Sequence, residues 1–344
     1  MSLQILKGDI IHAKNIYYSG THHQFVSMNP DPAKPVLQIT KPVFYIETLH
    51  SCYVHMIEEV FRIHWIVNEL VESKDISGTD IVLFVSSVNV MKHLEKNAKL
   101  IDPDKKCYKG VWNEAIRVVT KNPILFALFS ENALLHFQNL FLINKPDYYQ
   151  RSFWNSIAVY PGRTIPNDYF ETNKHLFPYF LKKENDLIPI RFRDELIQEK
   201  LLSFRISVLK TVLNEYDIPK GEKRKVVLIN RKLNRVLPKE YVEELTTYFK
   251  DLETIEWKGV HFLEEMNFEE QVKLFNTNDV FVMVHGAGCG NILWAKMNSI
   301  LIQYDETQYR YIMYNRLASM VGVVSYNILF GLNHQIEMLK SIPL

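Results

Sequence analysis

From Lys225 onward the chain alternates short aliphatic runs with amphipathic stretches at helical spacing, and that alternation leaves few folds open. Lys225 to Asn230 reads as a strand, Pro238 to Lys250 as a helix, and Thr254 to Trp257 as a short strand. Asn267 to Asn276 reads as a helix with Asn267 at its N-cap. Asp279 to Val284 is a strand so apolar that both of its faces must be covered. A helix from about Asn291, a strand from Ser299 to Tyr304, a helix from Tyr309 to Met320, a strand from Gly322 to Ile328 and a closing helix complete the series. Elements in strict turn need crossover connections, so the predicted product is a parallel sheet with helices on both faces.

Upstream the pattern is less regular. A Pro-rich lead-in, Asn29 to Pro42, precedes a strand at Val43 to Glu47, a long helix from about Ser51 to Glu72, and a buried strand at Asp80 to Ser86. Helical patterns at Val88 to Leu100 and Lys109 to Lys121 follow, which predicts a second α/β unit. An aromatic, Pro-broken region from Lys145 to Pro189 then leads into a charged amphipathic helix from about Arg191 to Tyr216. A chain of 344 residues is long for one core and suits two. The expected fold is therefore α/β with two Rossmann-like domains: an N-terminal domain over 1–189, a linker helix within 190–221 and a C-terminal domain over 222–344.

Charge narrows the partners. Lys plus Arg number 40 against 39 for Asp plus Glu, so no overall field gathers nucleic acid or an anionic membrane, and any anion site must be local. No nucleic-acid partner is expected. The most apolar helical stretch, Cys52 to Leu70, carries Glu58, Glu59, Arg62 and Glu69, so no transmembrane segment is expected either. Cys52, Cys107 and Cys289 are odd in number, far apart and free of any C-x-x-C pair, which points away from a disulfide framework or a zinc site. The opening lacks a signal-peptide pattern and no Asn-x-Ser/Thr sequon occurs. The expectation is a soluble, cytoplasmic protein, with a secretory lumen open only if a targeting segment has been removed.

One loop carries the strongest chemical signal. The strand Asp279 to Val284 runs into His285-Gly286-Ala287-Gly288-Cys289-Gly290-Asn291 and then Ile292-Leu293-Trp294. In open α/β sheets ligands bind outside the carboxyl ends of strands, where glycine lets backbone amides approach an anion and the next helix points its N-terminus at it. The bland reading is a tight turn needing left-handed glycines. The loop is neither the G-x-G-x-x-G fingerprint nor a Walker loop, and without a G-x-S-x-G elbow it is not the oxyanion loop of a lipase-like hydrolase. A second cluster, Arg231-Lys232-Leu233-Asn234-Arg235, follows the strand that ends at Asn230. It is either a pair of cations facing the same crevice, where arginine forks onto phosphate oxygens, or a basic surface turn. Asp102-Pro103-Asp104 matches a metal-binding Asp-x-Asp signature but follows a lysine-rich stretch, so it reads as a solvated turn.

Taken together, Val226 to Arg235, Phe268 to Phe275 and Asp279 to Trp294 resemble glycosyltransferase family 61, whose members include plant xylosyl- and arabinosyltransferases and animal O-linked N-acetylglucosaminyltransferases. Further upstream, Tyr53-Val54-His55-Met56-Ile57-Glu58-Glu59-Val60-Phe61-Arg62 is similar to the family's His-containing helix. The resemblance implies a GT-B architecture, with two Rossmann-like domains and parallel sheets facing across a cleft. It also implies inverting chemistry without a metal, no cofactor, a nucleotide-sugar donor (a UDP-sugar is expected) and a glycan or glycoprotein acceptor. Two positions depart from the family: Leu-Thr-Asn is replaced by Cys289-Gly290-Asn291, and Gln303 stands where a Glu is frequent.

Without a metal, protein cations and amides must receive the charge that develops on the leaving diphosphate. That role falls to Arg231, Arg235, His285 and the loop Gly286, Ala287, Gly288, Cys289, Gly290 and Asn291, with a helix starting near Asn291 adding about 0.3–1 kcal/mol through its dipole. The base is expected from the N-terminal domain: His55 oriented by Glu58 or Glu59 one turn away, or Glu59 itself. The bland alternative is a core histidine flanked by surface carboxylates. A non-catalytic nucleotide- or glycan-binding module of the same fold is the competing reading of the whole chain.

Overall fold

The computed structural model describes residues 2–5, 11–19, 24–26, 33–46, 53–73, 76, 81–85, 115–120, 125–126, 134–142, 195–217, 221–233, 235–305, 313–329 and 335–344. The chain divides into two compact units, Met1–Pro103 with Ala115–Ser152, and Asp104–Glu114 with Phe153–Leu344.

In the first unit an eight-stranded sheet is built from β1 (Ser2–Ile5), β2 (Ile11–Ser19), β3 (Gln24–Val26), β4 (Val36–Ile39), β5 (Val43–Ile46), β6 (Val82–Val85), β7 (Leu125–Phe126) and β8 (Leu134–Leu142). The order is β1-β2-β8-β5-β6-β7, with β3 on β2 and β4 on β8. β5, β6 and β7 pair in parallel, as do β4 and β5 with β8, whereas β2 is antiparallel to β1, β3 and β8. The parallel Rossmann-like sheet expected for this half is thus a mixed sheet. Antiparallel neighbours need no crossover helix, so β1 to β3 enter the sheet before the first of the described helices. Helix α1 (Tyr53–Glu72) is buried on most sides, with Val54, Ile57, Phe61, Ile63 and Ile66 all at most 4% exposed. The pattern at Val88 to Leu100 lies outside the described residues, and of that at Lys109 to Lys121 only a 3-10 turn, Ile116–Val118, is described with its flanks.

The second unit follows the sequence closely. Its elements are α2 (Glu195–Val212), β9 (Arg224–Asn230), α3 (Lys239–Lys250), β10 (Ile255–Phe262), α4 (Phe268–Thr277), β11 (Val280–Val284), β12 (Ile300–Asp305), α5 (Met313–Met320), β13 (Val324–Leu329) and α6 (Gln335–Lys340). The five strands form a wholly parallel sheet in the order β10-β9-β11-β12-β13. Val226, Leu228, Val280, Val282, Ile300 and Ile302 face one way, into a core closed by Leu245 and Phe249 of α3 and Leu339 of α6. On the other face Phe281 stacks on Phe275 of α4, with ring centroids 4.6 Å apart. Asn267 caps α4 as expected, in a complete capping box with Glu270. The helix read as a linker packs into this unit, with Phe204 against Trp294 and Arg205 bonded to the Ala295 carbonyl. None of the described helices is long and apolar enough to cross a membrane.

Candidate functional site

β11 ends by delivering His285 and Gly286 to the carboxyl edge of the sheet, and the His285 N–H is held by the Tyr304 carbonyl of β12. The α-helix expected from Asn291 does not form. The chain instead makes a 3-10 helix over Ala287–Trp294 and turns extended at Ala295. The side chains explain the difference. Asn291 is fully buried, and its amide donates to Gln271 Oε1 (2.9 Å) and back to the Gly288 carbonyl (3.2 Å). An asparagine bonded in this way competes with the α-helical ladder. Cys289 is also fully buried, its thiol turned to the Val284 carbonyl. Cys289 and Asn291, both read as donor-binding, thus point their side chains inward, which leaves the backbone as what the loop presents. The first amides of such a helix have no acceptor within it.

Gly286 has φ 164°, ordinary extended backbone, so the left-handed turn that glycines might have served is not what this one provides. Its need is close approach. A Cβ here would fall 2.8 Å from Arg231 Nη1 and 3.6 Å from Arg235 Nη2. The basic cluster and the glycine loop therefore meet at one point. Arg231 Nη1 is buried with no hydrogen-bond partner among the described residues. Gly288 is needed for packing, since a Cβ there would lie 2.7 Å from Leu263 Cδ1.

Asn230, at the base of this cluster, is a residue that sequence reasoning passed over. Its Oδ1 accepts the N–H groups of Arg231 (2.8 Å) and Leu237 (2.9 Å), closing the basic loop at its base. Within that loop Arg235 adopts a left-handed backbone, φ 57°. Lys232 faces away, paired with Glu265 and over the Phe262 ring. The only advance signal was an asparagine ending a buried strand.

Around His285 the site is aromatic and amide-rich. Its ring lies 5.2 Å from that of Tyr314 on α5. Register pairs Met283 with Gln303 and Gln303 with Asn327, so these residues lie across the sheet one level below His285. Asn315 of α5 donates to Ser325 Oγ (3.1 Å) and Asn327 Oδ1 (2.8 Å). Gln303 is fully buried and, among the described residues, neither end of its amide has a hydrogen-bond partner. An amide left so costs folding about 1–3 kcal/mol per unsatisfied group.

The other candidates belong to the first unit. His55, Glu58 and Glu59 all lie on α1. Glu58 is 3% exposed and pairs with Arg62 one turn on, so its carboxylate is engaged along the helix. The side chains of His55 and Glu59 lie outside the described residues, as does Asp102-Pro103-Asp104. His64 is a packing residue: it is 4% exposed beside Asn68, and burial lowers its pKa to about 4. Among the described residues no three His, Cys, Asp or Glu side chains come together as a metal site.

A search of curated proteins found no match to this sequence. The family model described as Glycosyltransferase 61 matches residues 11–302, from β2 to β12, and so spans the basic loop, the capped helix α4 and the glycine loop. The chain belongs to glycosyltransferase family 61 and is a glycosyltransferase.

Proposed function

We propose that the second unit binds the diphosphate of a nucleotide-sugar, a UDP-sugar, between Arg231, Arg235 and the opening amides of the glycine loop. On this reading the enzyme has the GT-B arrangement and transfers the sugar with inversion, without a metal, to a hydroxyl of a glycan or glycoprotein. The observation that carries it is the convergence of both guanidinium groups on Gly286, with Arg231 Nη1 buried and, among the described residues, without a hydrogen-bond partner. Burying a cationic donor is unfavourable unless an acceptor meets it, and a phosphate oxygen is such an acceptor. Aimed at a leaving diphosphate, it supplies the charge stabilisation that a metal provides in other transferases; one such donor is worth on the order of 3 kcal/mol. His285, under Tyr314, lies beside this position. The base would come from α1, as His55 or Glu59.

The test is a thermal-shift panel of sugar nucleotides on the full chain, followed by donor hydrolysis with excess EDTA present. The expected result is that UDP and one UDP-sugar raise the melting temperature, since ligand at 100 times its Kd stabilises by about 2.7 kcal/mol. Slow release of UDP should continue under EDTA. Turnover lost to EDTA and restored by manganese would overturn the metal-free mechanism. Binding with no release of UDP would favour the non-catalytic module, and no shift with any nucleotide would overturn the donor site.

A further inference from the structure

We propose that Arg205, Asp217 and Asn276 are positioning residues for the donor site, a clasp that fixes the far end of the glycine loop and thereby the place of Gly286 and the amides that follow it. This inference rests on the donor reading above.

Three side chains from separate parts of the chain converge on the end of the loop. Arg205 of α2, 3% exposed, forks onto Asp217 through Nη1 (3.0 Å) and Nη2, and Nη2 also donates to the Ala295 carbonyl (2.8 Å). Asn276 of α4, fully buried, donates through Nδ2 to the Trp294 carbonyl (3.0 Å) and to Asp217 Oδ1 (3.2 Å). Its Oδ1 accepts the Asp217 N–H at 2.8 Å. Asp217 is the key between the two helices and takes a left-handed backbone, φ 53°. Burial opposes its charge, but hydrogen bonds and charge from Arg205, with Asn276 and Lys296, hold its carboxyl below the usual aspartate range. The Trp294 ring is gripped by Phe204 of α2 and Phe268 of α4.

The loop needs such a clasp because of its geometry. It spans eight residues of 3-10 helix, Ala287–Trp294, whereas runs beyond three or four residues are uncommon because their hydrogen bonds are poorly aligned. Eight residues extend about 16 Å at the 3-10 rise and about 12 Å at the α rise, so relaxation to an α-helix would move one end by about 4 Å. The front end is tied to the sheet by the His285 N–H. With Trp294 and Ala295 also tied, the length is set, and Gly286 stays under Arg231. Misplacement of a binding group by only about 1 Å costs on the order of a hundredfold in rate.

Arg205→Lys keeps the charge but loses the fork, so it cannot serve Asp217 and Ala295 with the same geometry. Tyr241→Phe is the matched control. It deletes the partly buried hydroxyl bond to Tyr304 on the opposite face of the same sheet. In the full chain, with UDP as the probe, Arg205→Lys should raise the Kd at least tenfold. Tyr241→Phe should leave the Kd within twofold while lowering the melting temperature as much or more. Equal UDP affinity in Arg205→Lys and the parent overturns the clasp, as does a loss of affinity in both variants that simply tracks stability. If Arg205→Lys fails to fold, Asp217→Glu is measured in the same way, because the Asp217 side chain is 40% exposed and admits an extra methylene. A parent chain that binds no UDP overturns the donor reading, and the clasp with it; a parent that binds UDP isolates the clasp.

Discussion

Arg235 holds a backbone conformation that costs a residue with a Cβ roughly 1–2 kcal/mol, and it does so with its guanidinium beside Gly286. Strain of this kind persists only where the surroundings impose it, and it gathers at sites of function. Arg235→Gly is therefore expected to raise unfolding stability by about 1 kcal/mol while weakening UDP binding, a pairing readable from urea midpoints and calorimetry on the same samples. Equal UDP affinity with higher stability would make Arg235 a loop residue and nothing more. Gly286→Ala probes the other side of the contact. Its φ of 164° suits alanine, and the new methyl would meet the far end of a flexible side chain, Arg231 Nη1. Stability should change by less than about 1 kcal/mol, yet the displaced guanidinium should lose UDP affinity about tenfold, and unchanged affinity would show that Arg231 does not hold the diphosphate.

At the scale of elements, α1 carries a titration that can be read directly. Burial holds the His64 pKa at about 4 against 6.5 when unfolded, so the folded state binds fewer protons across that window. Its contribution is complete above pH 6.5 and is lost as pH falls to 4, on the order of 3 kcal/mol. His64→Gln should flatten the pH dependence of the unfolding free energy between pH 7 and 4 relative to the parent; parallel curves would place a partner charge beside the ring. The same scale shows what the sequence could reveal. Parallel β9 to β13 were legible because β9, β11 and β12 carry unbroken apolar runs and amphipathic helices alternate with most of the strands. β1, β3, β4 and β7 are only two to four residues long, and the longer β2 and β8 mix polar with apolar residues, so their pairing depends on partners far along the chain. The loop after β11 was found, but its helix type was not, because the Asn291–Gln271 bond that decides it spans 20 positions. Arg231 and Arg235 stood out as cations, whereas Asn230, Arg205 and Asn276 act through backbone groups that no local pattern announces.

For the whole molecule, the proposed division of labour is that the second unit holds the donor and α1 of the first supplies the base. A base touches the incoming hydroxyl and not the nucleotide, so its removal should separate binding from chemistry. His55→Ala is expected to leave the UDP Kd within twofold and to lower the rate of UDP-sugar hydrolysis, where water is the acceptor, by roughly 10²–10⁴. Glu58 is engaged with Arg62, which leaves Glu59 as the carboxylate to compare. If Glu59→Gln loses as much rate as His55→Ala, the two act as one unit or Glu59 is itself the base. A mild loss leaves His55 as the group that takes the proton. Should His55→Ala unfold the protein while Glu59→Gln turns over normally, α1 is a core helix, and the base belongs to another element of the chain.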